Sequence, residues 1–279
     1  MNDHPLFFIP FPFALTSAHL RTRLPYFFAY LRKVQTRYSV HSPFVYDFIL
    51  HVLHGTRPPK VEEIESLRKV LAQQTTAINY QDLGAGMEGG KKRIEQASVG
   101  MLAQRASRRS VEGSFLLNIC RYFQPKRCLE LGTHLGISTL YQLAGLQDSY
   151  FVSLEGVEDL QVLARQHLET FGFQADLRLG NFDKLLPALL EEQKSPWDYV
   201  FIDGNHREEP TLRYTQLLLP HMSDGGIMIF DDIHWSSGMH RAWQQIVTMP
   251  EVSVSIDLYR MGVCFVNRPQ AKEHFTLWM

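Results

Sequence analysis

Cysteine is scarce in this chain: Cys120, Cys128 and Cys264 are the three among 279 residues. They sit in apolar, strand-like surroundings without paired spacing, which argues against a disulfide framework or a zinc site and suits reduced thiols in the cytoplasm. A dominant charge is missing too. With 28 basic and 29 acidic residues the formal charge is -1, so no global field draws the chain onto nucleic acid or anionic lipid. No apolar run reaches the length of a bilayer span. The opening PLFFIPFPFAL is interrupted by Pro5, Pro10 and Pro12, has no basic flank before it, and is far shorter than the ~20 residues a membrane helix needs. It reads as a cover for a neighbouring surface or a loose extension. There is no internal repeat and no low-complexity tract.

What is present divides into two parts. Between about residues 18 and 55 apolar residues recur at helical spacing, with Ser42-Pro43 as a helix start, and VEEIESLRKVLAQQ forms a further amphipathic helix. Residues 1–110 are therefore expected to form a mainly helical lobe. From 111 to 279 the pattern alternates. RCLELGT, YFVSLEG, ADLRLGN, WDYVFIDG and GGIMIFDD are short apolar strands separated by helices, as a parallel sheet covered on both faces requires. VSVSIDL and GVCFVN, separated by a short turn, predict an antiparallel hairpin at the sheet edge. The fold class is α/β: a Rossmann-like, doubly wound, mostly parallel seven-stranded sheet with an antiparallel C-terminal hairpin and an N-terminal helical lobe.

Two glycine-rich loops compete for a cofactor, DLGAG at residues 82–86 and LELGTHLGIS from Leu129. In a doubly wound sheet the cofactor loop follows a strand, opens a helix, and is answered about 20 residues later by an acid that takes ribose hydroxyls. The later loop meets this test, with Gly132 and Gly136 in the turn, STLYQLA as the helix and Glu155 ending the next strand. DLGAG does not, because KKRIEQASVGMLAQRASRRS offers no second strand and no acid in place.

The spacing from Glu130 to Gly136 is acid-x-Gly-x-x-x-Gly, not the Gly-x-Gly-x-x-Gly that seats a pyrophosphate on a helix N-terminus. A cofactor without phosphates is favoured. Here the sequence resembles the class I S-adenosylmethionine-dependent methyltransferases, over roughly residues 114 to 267. The resemblance implies that Glu130, Gly132, Thr133, Gly136 and Ser138 line the methionine end of the cofactor. It further implies that Glu155 holds the ribose, and that Gly180, Asn181 and Phe182 lie near adenine.

Two further strand ends carry acids, Asp203 in WDYVFIDGNH and Asp231-Asp232 in GGIMIFDDIHW. Hard oxygen donors converging on one crevice suit Mg²⁺ or a similar divalent cation, which would orient a substrate hydroxyl and lower its pKa. The arrangement resembles the cation-dependent catechol and caffeoyl-CoA O-methyltransferases, with Asp232 where those have Asn and His206 where they have Lys. The DGNH sequence is similar to a broader group of bacterial O-methyltransferase-like proteins. Asp203, Asp231 and Asp232 are thus the metal candidates. Asp203 could instead bind the cofactor's amino group, and Asp232 could cap a helix. His206 is the proposed general base, with a structural hydrogen bond or metal ligation as alternative roles. His234 and Trp235 are placed as walls of a substrate pocket or as core.

The expected activity is methylation of a small-molecule hydroxyl; the rivals are a nicotinamide oxidoreductase and a non-catalytic scaffold of the same fold. Where nucleic-acid amino-methyltransferases carry an Asn/Asp-Pro-Pro-aromatic motif this chain has DGNH, which argues against a nucleic-acid substrate. Homo-oligomerisation is left open. The basic run RASRRS reads as a solvated face or as a contact for an acidic substrate. DLGAG, followed by Lys91, Lys92 and Arg93, is expected to fold over the site as a lid.

Overall fold

The computed structural model describes residues 17–81, 94–105 and 110–279. Three helices open the chain: α1 (Ser17–Leu31), α2 (Pro43–Phe48), which runs on into a wider turn over Ile49–Leu53, and α3 (Lys60–Leu71). The strands β1 (Ala77–Gln81) and β2 (Ile94–Ser98) and the helix α4 (Val99–Arg105) follow. Then comes the alternating part: α5 (Ser110–Phe123), β3 (Arg127–Leu131), α6 (Ile137–Gly145), β4 (Tyr150–Glu155), α7 (Glu158–Thr170), β5 (Asp176–Leu179) and α8 (Phe182–Glu192). It continues through β6 (Trp197–Ile202), α9 (Glu208–Leu218), β7 (Met222–Asp231), α10 (Ser237–Ile246), β8 (Val252–Asp257), β9 (Met261–Val266) and β10 (Glu273–Thr276).

The large sheet has the order β10-β8-β9-β7-β6-β3-β4-β5. Only β9 runs against its neighbours, and the other pairings are parallel. Strand order reverses between β3 and β6, so the loops after these strands diverge and leave a crevice at their carboxyl ends. The inner strands can occupy this position because they are apolar on both faces; β8 and β9 are buried at every position. All three cysteines are buried and unpaired, and burial pushes their thiols well above the ordinary range.

The sheet has eight strands where the sequence pattern gives seven. The added strand, β10, pairs with the open edge of β8 from Glu273 opposite Val254 to Thr276 opposite Asp257. Its sequence EHFT has no apolar run, since an edge strand is held mainly by backbone hydrogen bonds. The N-terminal part also holds strands: β1 and β2 pair antiparallel from Ala77–Ser98 to Gln81–Ile94. A strand therefore does follow DLGAG, contrary to the sequence reading, but its antiparallel sense is incompatible with a βαβ cofactor unit. Residues 82–93 and 106–109, and with them the expected lid, lie outside the described residues.

The N-terminal helices share their core with the sheet. Val45, Phe48, Val52 and Ile64 belong to one buried cluster with Phe115, Tyr199 and Phe265. A second cluster joins Leu71, Ile78, Val99 and Leu102 to Leu135 and Leu160. Leu135 belongs to the loop after β3, so the packing of the N-terminal part bears directly on that loop. No helix among the described residues is long and apolar enough to cross a membrane.

Two predictions follow from this packing. Leu135→Ala should lower the unfolding free energy by about 2–5 kcal/mol, the usual cost of emptying a fully buried leucine site, read as a shifted urea midpoint. The second concerns protons. Burial lowers His167, His240 and His274 below the ordinary value of 6.5. Below that value the unfolded chain binds more protons than the folded one, so this share of stability is present above pH 6.5 and lost as pH falls toward the lowered values. His274→Asn should flatten the slope of stability against pH in that acid window, measured by urea unfolding across a pH series.

Candidate active site

The site begins with a buried acid. Glu130 on β3 is fully buried, and its carboxylate accepts hydrogen bonds from Ser138 Oγ (2.7 Å), Thr139 Oγ1 (2.5 Å), Gln142 Nε2 (2.7 Å) and Ser153 Oγ (2.7 Å). Burial raises its pKa, and these hydrogen bonds oppose the rise. Because the Ser153 hydroxyl is committed to Glu130, Thr133 Oγ1, 2.5 Å from Ser153 Oγ, is the donor in that pair. Glu130 thus ties β3, β4 and the first turns of α6 together from behind the loop.

Backbone geometry shapes the front. Gly132 has φ 107°, and a Cβ placed there would lie 2.1 Å from the Asp203 carbonyl oxygen. The loop after β3 and the loop after β6 are therefore in backbone contact, and only glycine satisfies both the positive φ and the approach. Gly136, at φ 77°, turns the chain into α6, with its own Cβ position against Ala164 of α7. Thr133 and Ser138 face a pocket shared with His134, Leu135, Asp203 and Arg68. Of the residues placed at the methionine end, then, Thr133 and Ser138 line the pocket, Gly132 and Gly136 shape the loop, and Glu130 stands behind it.

Glu155 ends β4 nearly buried. It accepts the His134 amide at Oε2 (2.7 Å) and the Val157 amide at Oε1 (2.9 Å). Burial raises its pKa against these backbone hydrogen bonds. At the end of β5, Gly180 at φ 149° donates its N–H to the Glu155 carbonyl at 2.8 Å. Asn181 caps α8 by accepting the Asp183 amide at 2.7 Å. Phe182 lies against Gly204, whose Cβ position would be 2.7 Å from the ring. The ends of β5 and β6 are thereby in contact.

Past β6 and β7, Asp203, His206 and Asp231 each place a ligand atom within 4.8 Å of the other two. His206 Nε2 is 3.6 Å from Asp203 Oδ1, an ion-pair distance and too long for a strong hydrogen bond. Asp232 is not in this group. It has a left-handed φ of 51°, and its Oδ1 lies 3.6 Å from Arg260 Nη2. Arg260, in the turn between β8 and β9, also meets the buried Glu112 of α5 at 3.2 Å.

Asp257 and His240 carried no signal in the sequence, whereas His234, read there as a pocket wall or as core, is buried. Asp257, at the end of β8, takes His234 Nε2 at 2.9 Å, and His234 Nδ1 lies 2.9 Å from His240 Nδ1. With Asp257 ionised and His234 neutral, His234 donates from Nε2 and its Nδ1 accepts from His240. Tyr26 of α1 stacks on His240 with ring centroids 4.2 Å apart. His234 is therefore part of a buried polar chain beneath α1, reached through the fold alone. Arg68 was equally silent: its i,i+3 spacing from Glu65 reads as an ordinary surface pair on a helix.

Residues 129–233 match the family described as a methyltransferase domain, which covers the loop after β3, Glu155 and both acidic strand ends. That stretch is thus similar to a methyltransferase domain, and the sheet order around it is that of a Rossmann-like, doubly wound fold. It is 30% identical over 125 residues to a catechol O-methyltransferase of Niastella koreensis, covering 44% of this chain and 56% of that protein. It is 26% identical over 133 residues to caffeoyl-CoA O-methyltransferase 1 of Zea mays, covering 46% and 51%. The chain spans about half the length of these curated relatives. The fold is similar to that of an O-methyltransferase from Bacillus cereus, solved in complex with SAH (S-adenosylhomocysteine), with a TM-score of 0.52, 19% identity, and coverage of 80% of this chain and 96% of the other.

The contact at Gly132 yields a sharp expectation. Gly132→Ala must either move the Asp203 loop or strain the backbone, and should cost roughly 2 kcal/mol or more of stability. Chemical denaturation reads the cost, and a variant as stable as the parent would refute the close approach.

Proposed function

We propose that this protein transfers a methyl group from S-adenosylmethionine to a hydroxyl of a small molecule. The observation that carries this reading is the convergence, at one switch point, of the pocket on Thr133 and Ser138, the buried Glu155, and the group Asp203, His206 and Asp231. The residues fit the cofactor. The Glu155 carboxylate accepts backbone N–H groups from His134, Val157 and Gly156, which leaves one of its about four lone-pair sites for a ribose hydroxyl, and Gly132 keeps the loop free of a side chain where a ligand would approach. When bound, S-adenosylmethionine supplies an electrophilic methyl group on a sulfonium.

The chain's own part is to position and deprotonate the acceptor. With His206 Nε2 turned toward Asp203, Nδ1 is left to take the hydroxyl proton, and the Asp203 carboxylate stabilises the imidazolium that forms. The same three side chains fit a divalent cation, with two carboxylates and one imidazole as donors. An imidazole in the set favours Mn²⁺ or another first-row ion more than Mg²⁺. A cation held there would lower the pKa of a bound hydroxyl. In that case Asp203, His206 and Asp231 hold the ion, and Asp232 stays with Arg260. The names of the two relatives point to catechol and caffeoyl hydroxyls as first acceptors to try.

Titration with S-adenosylhomocysteine should raise the melting temperature, because a ligand of the native state must stabilise it; no shift at millimolar ligand would sink the reading. With a methylated acceptor in hand, His206→Ala should lower kcat by roughly 10²–10⁴-fold, the usual worth of a positioned base. Turnover unchanged both by Asp231→Asn and by excess chelator would remove the cation from the mechanism and leave the histidine.

A further inference from the structure

His206 stands at the tip of a short turn that is closed twice. The Arg207 amide donates to the Asn205 carbonyl at 2.5 Å, so His206 is the central residue of a three-residue turn. The side chains on either side repeat the closure, with Arg207 Nε donating to Asn205 Oδ1 at 2.8 Å. The turn begins in the left-handed region, at Asn205 with φ 53°, which asparagine enters more readily than most residues other than glycine. None of these bonds uses the imidazole. Its Nε2 lies 3.6 Å from Asp203 Oδ1, too far for that contact alone to fix the ring.

The other end of the Asn205 amide fastens the turn to the rest of the protein. A guanidinium only donates, so the amide oxygen faces Arg207 and the amide nitrogen faces Tyr214. Asn205 Nδ2 donates to the Tyr214 hydroxyl at 3.2 Å, and that hydroxyl donates to Asp183 Oδ1 at 2.6 Å. Tyr214 is a buried residue of α9, and Asp183 lies in the first turn of α8, next to Phe182. Asp183 also accepts Arg213 Nη1 at 2.9 Å. Burial opposes its charge, but the hydrogen bonds from Tyr214 and Arg213 hold its carboxyl below the ordinary range. An ionised acceptor at one end orders the whole chain: the phenol proton points to Asp183, and the phenol oxygen is left for the amide. Two helices thus hold the residue that precedes His206.

We propose that Asn205 and Tyr214 are positioning residues for His206, holding the turn so that Nε2 stays toward Asp203 and Nδ1 toward the acceptor hydroxyl. The inference rests on the reading of His206 as the base and names the groups that aim it. The nitrogen that carries the proton is set by what the ring faces, so a ring released from the turn would present either nitrogen to the acceptor.

The test reads the tautomer of His206 in the full-length protein from the ¹⁵N shifts of its imidazole at about pH 9, well above the ordinary imidazole pKa. The signals are assigned by their absence from His206→Gln. The parent should show the Nε2–H form. Tyr214→Phe removes one oxygen, and Asn205→Gly keeps the left-handed backbone while losing both side-chain bonds. Each should draw the two nitrogen shifts together as exchange between tautomers averages them. Leu218→Val loosens α9 from its buried side without touching the chain of hydrogen bonds, and should leave the parental shifts. Parental shifts in either Tyr214→Phe or Asn205→Gly would overturn the positioning role, and so would an equal movement in Leu218→Val, which would make the effect one of stability alone. A parent in the Nδ1–H form, or in an even mixture, would instead overturn Nδ1 as the base, and this inference with it.

Discussion

The carboxylate of Glu130 is the interaction on which the rest of the site depends. An ionised acid without solvent is costly unless hydrogen bonds replace its hydration, and here three residues of α6 and one of β4 supply them. This requirement fixes the first turns of α6 relative to β3 and, through Ser153 and Thr133, the direction in which the loop leaves the strand. Once the loop is held from behind, its front can consist of backbone and small side chains. A ligand can then approach it closely.

The same economy appears one layer out. The loop after β3 meets the loop after β6 at Gly132 and Asp203, and the end of β5 meets the end of β6 at Phe182 and Gly204. Glu155 accepts an amide of the loop after β3, so the end of β4 is joined to it as well. Strand ends that diverge at a switch point are thus reconnected by short contacts between their loops. Displacement of any one would be transmitted to its neighbours. On the outer side Leu135 seats the loop in the cluster formed by Leu71, Ile78, Val99 and Leu102, which makes the N-terminal part a wall of the pocket.

How much of this was readable in the sequence varied with the kind of force involved. The inner strands were legible because burial on both faces leaves an apolar run, and LELGTHLGIS was legible because positive φ at a close approach demands glycine. The edge strand β10 and the hairpin β1–β2 were not, since their pairing rests on backbone groups that every sequence possesses. Asp203 and Asp231 could be placed at strand ends by counting. The direction of Asp232 could not, because it depends on a left-handed φ at a non-glycine residue and on an arginine from a distant turn. Arg68 was hidden for a related reason: a helical Glu–Arg pair looks the same in sequence whether it faces solvent or a pocket.

Asp232 shows how the chain accommodates an acid where the cation-dependent enzymes it resembles carry an amide. A third carboxylate facing Asp203 and Asp231 would add repulsion that a bound cation or a raised pKa would have to offset. Turning Asp232 toward Arg260 avoids this. Arg260 also meets the buried Glu112. One arginine therefore addresses two acids and joins α5 and the β8–β9 turn to the end of β7. What remains beside the pocket is a set of two carboxylates and an imidazole. Under the proposed function that set would take a proton at His206 or share a cation, and the choice between those two chemistries would fall to His206, the residue that departs from the lysine of those enzymes.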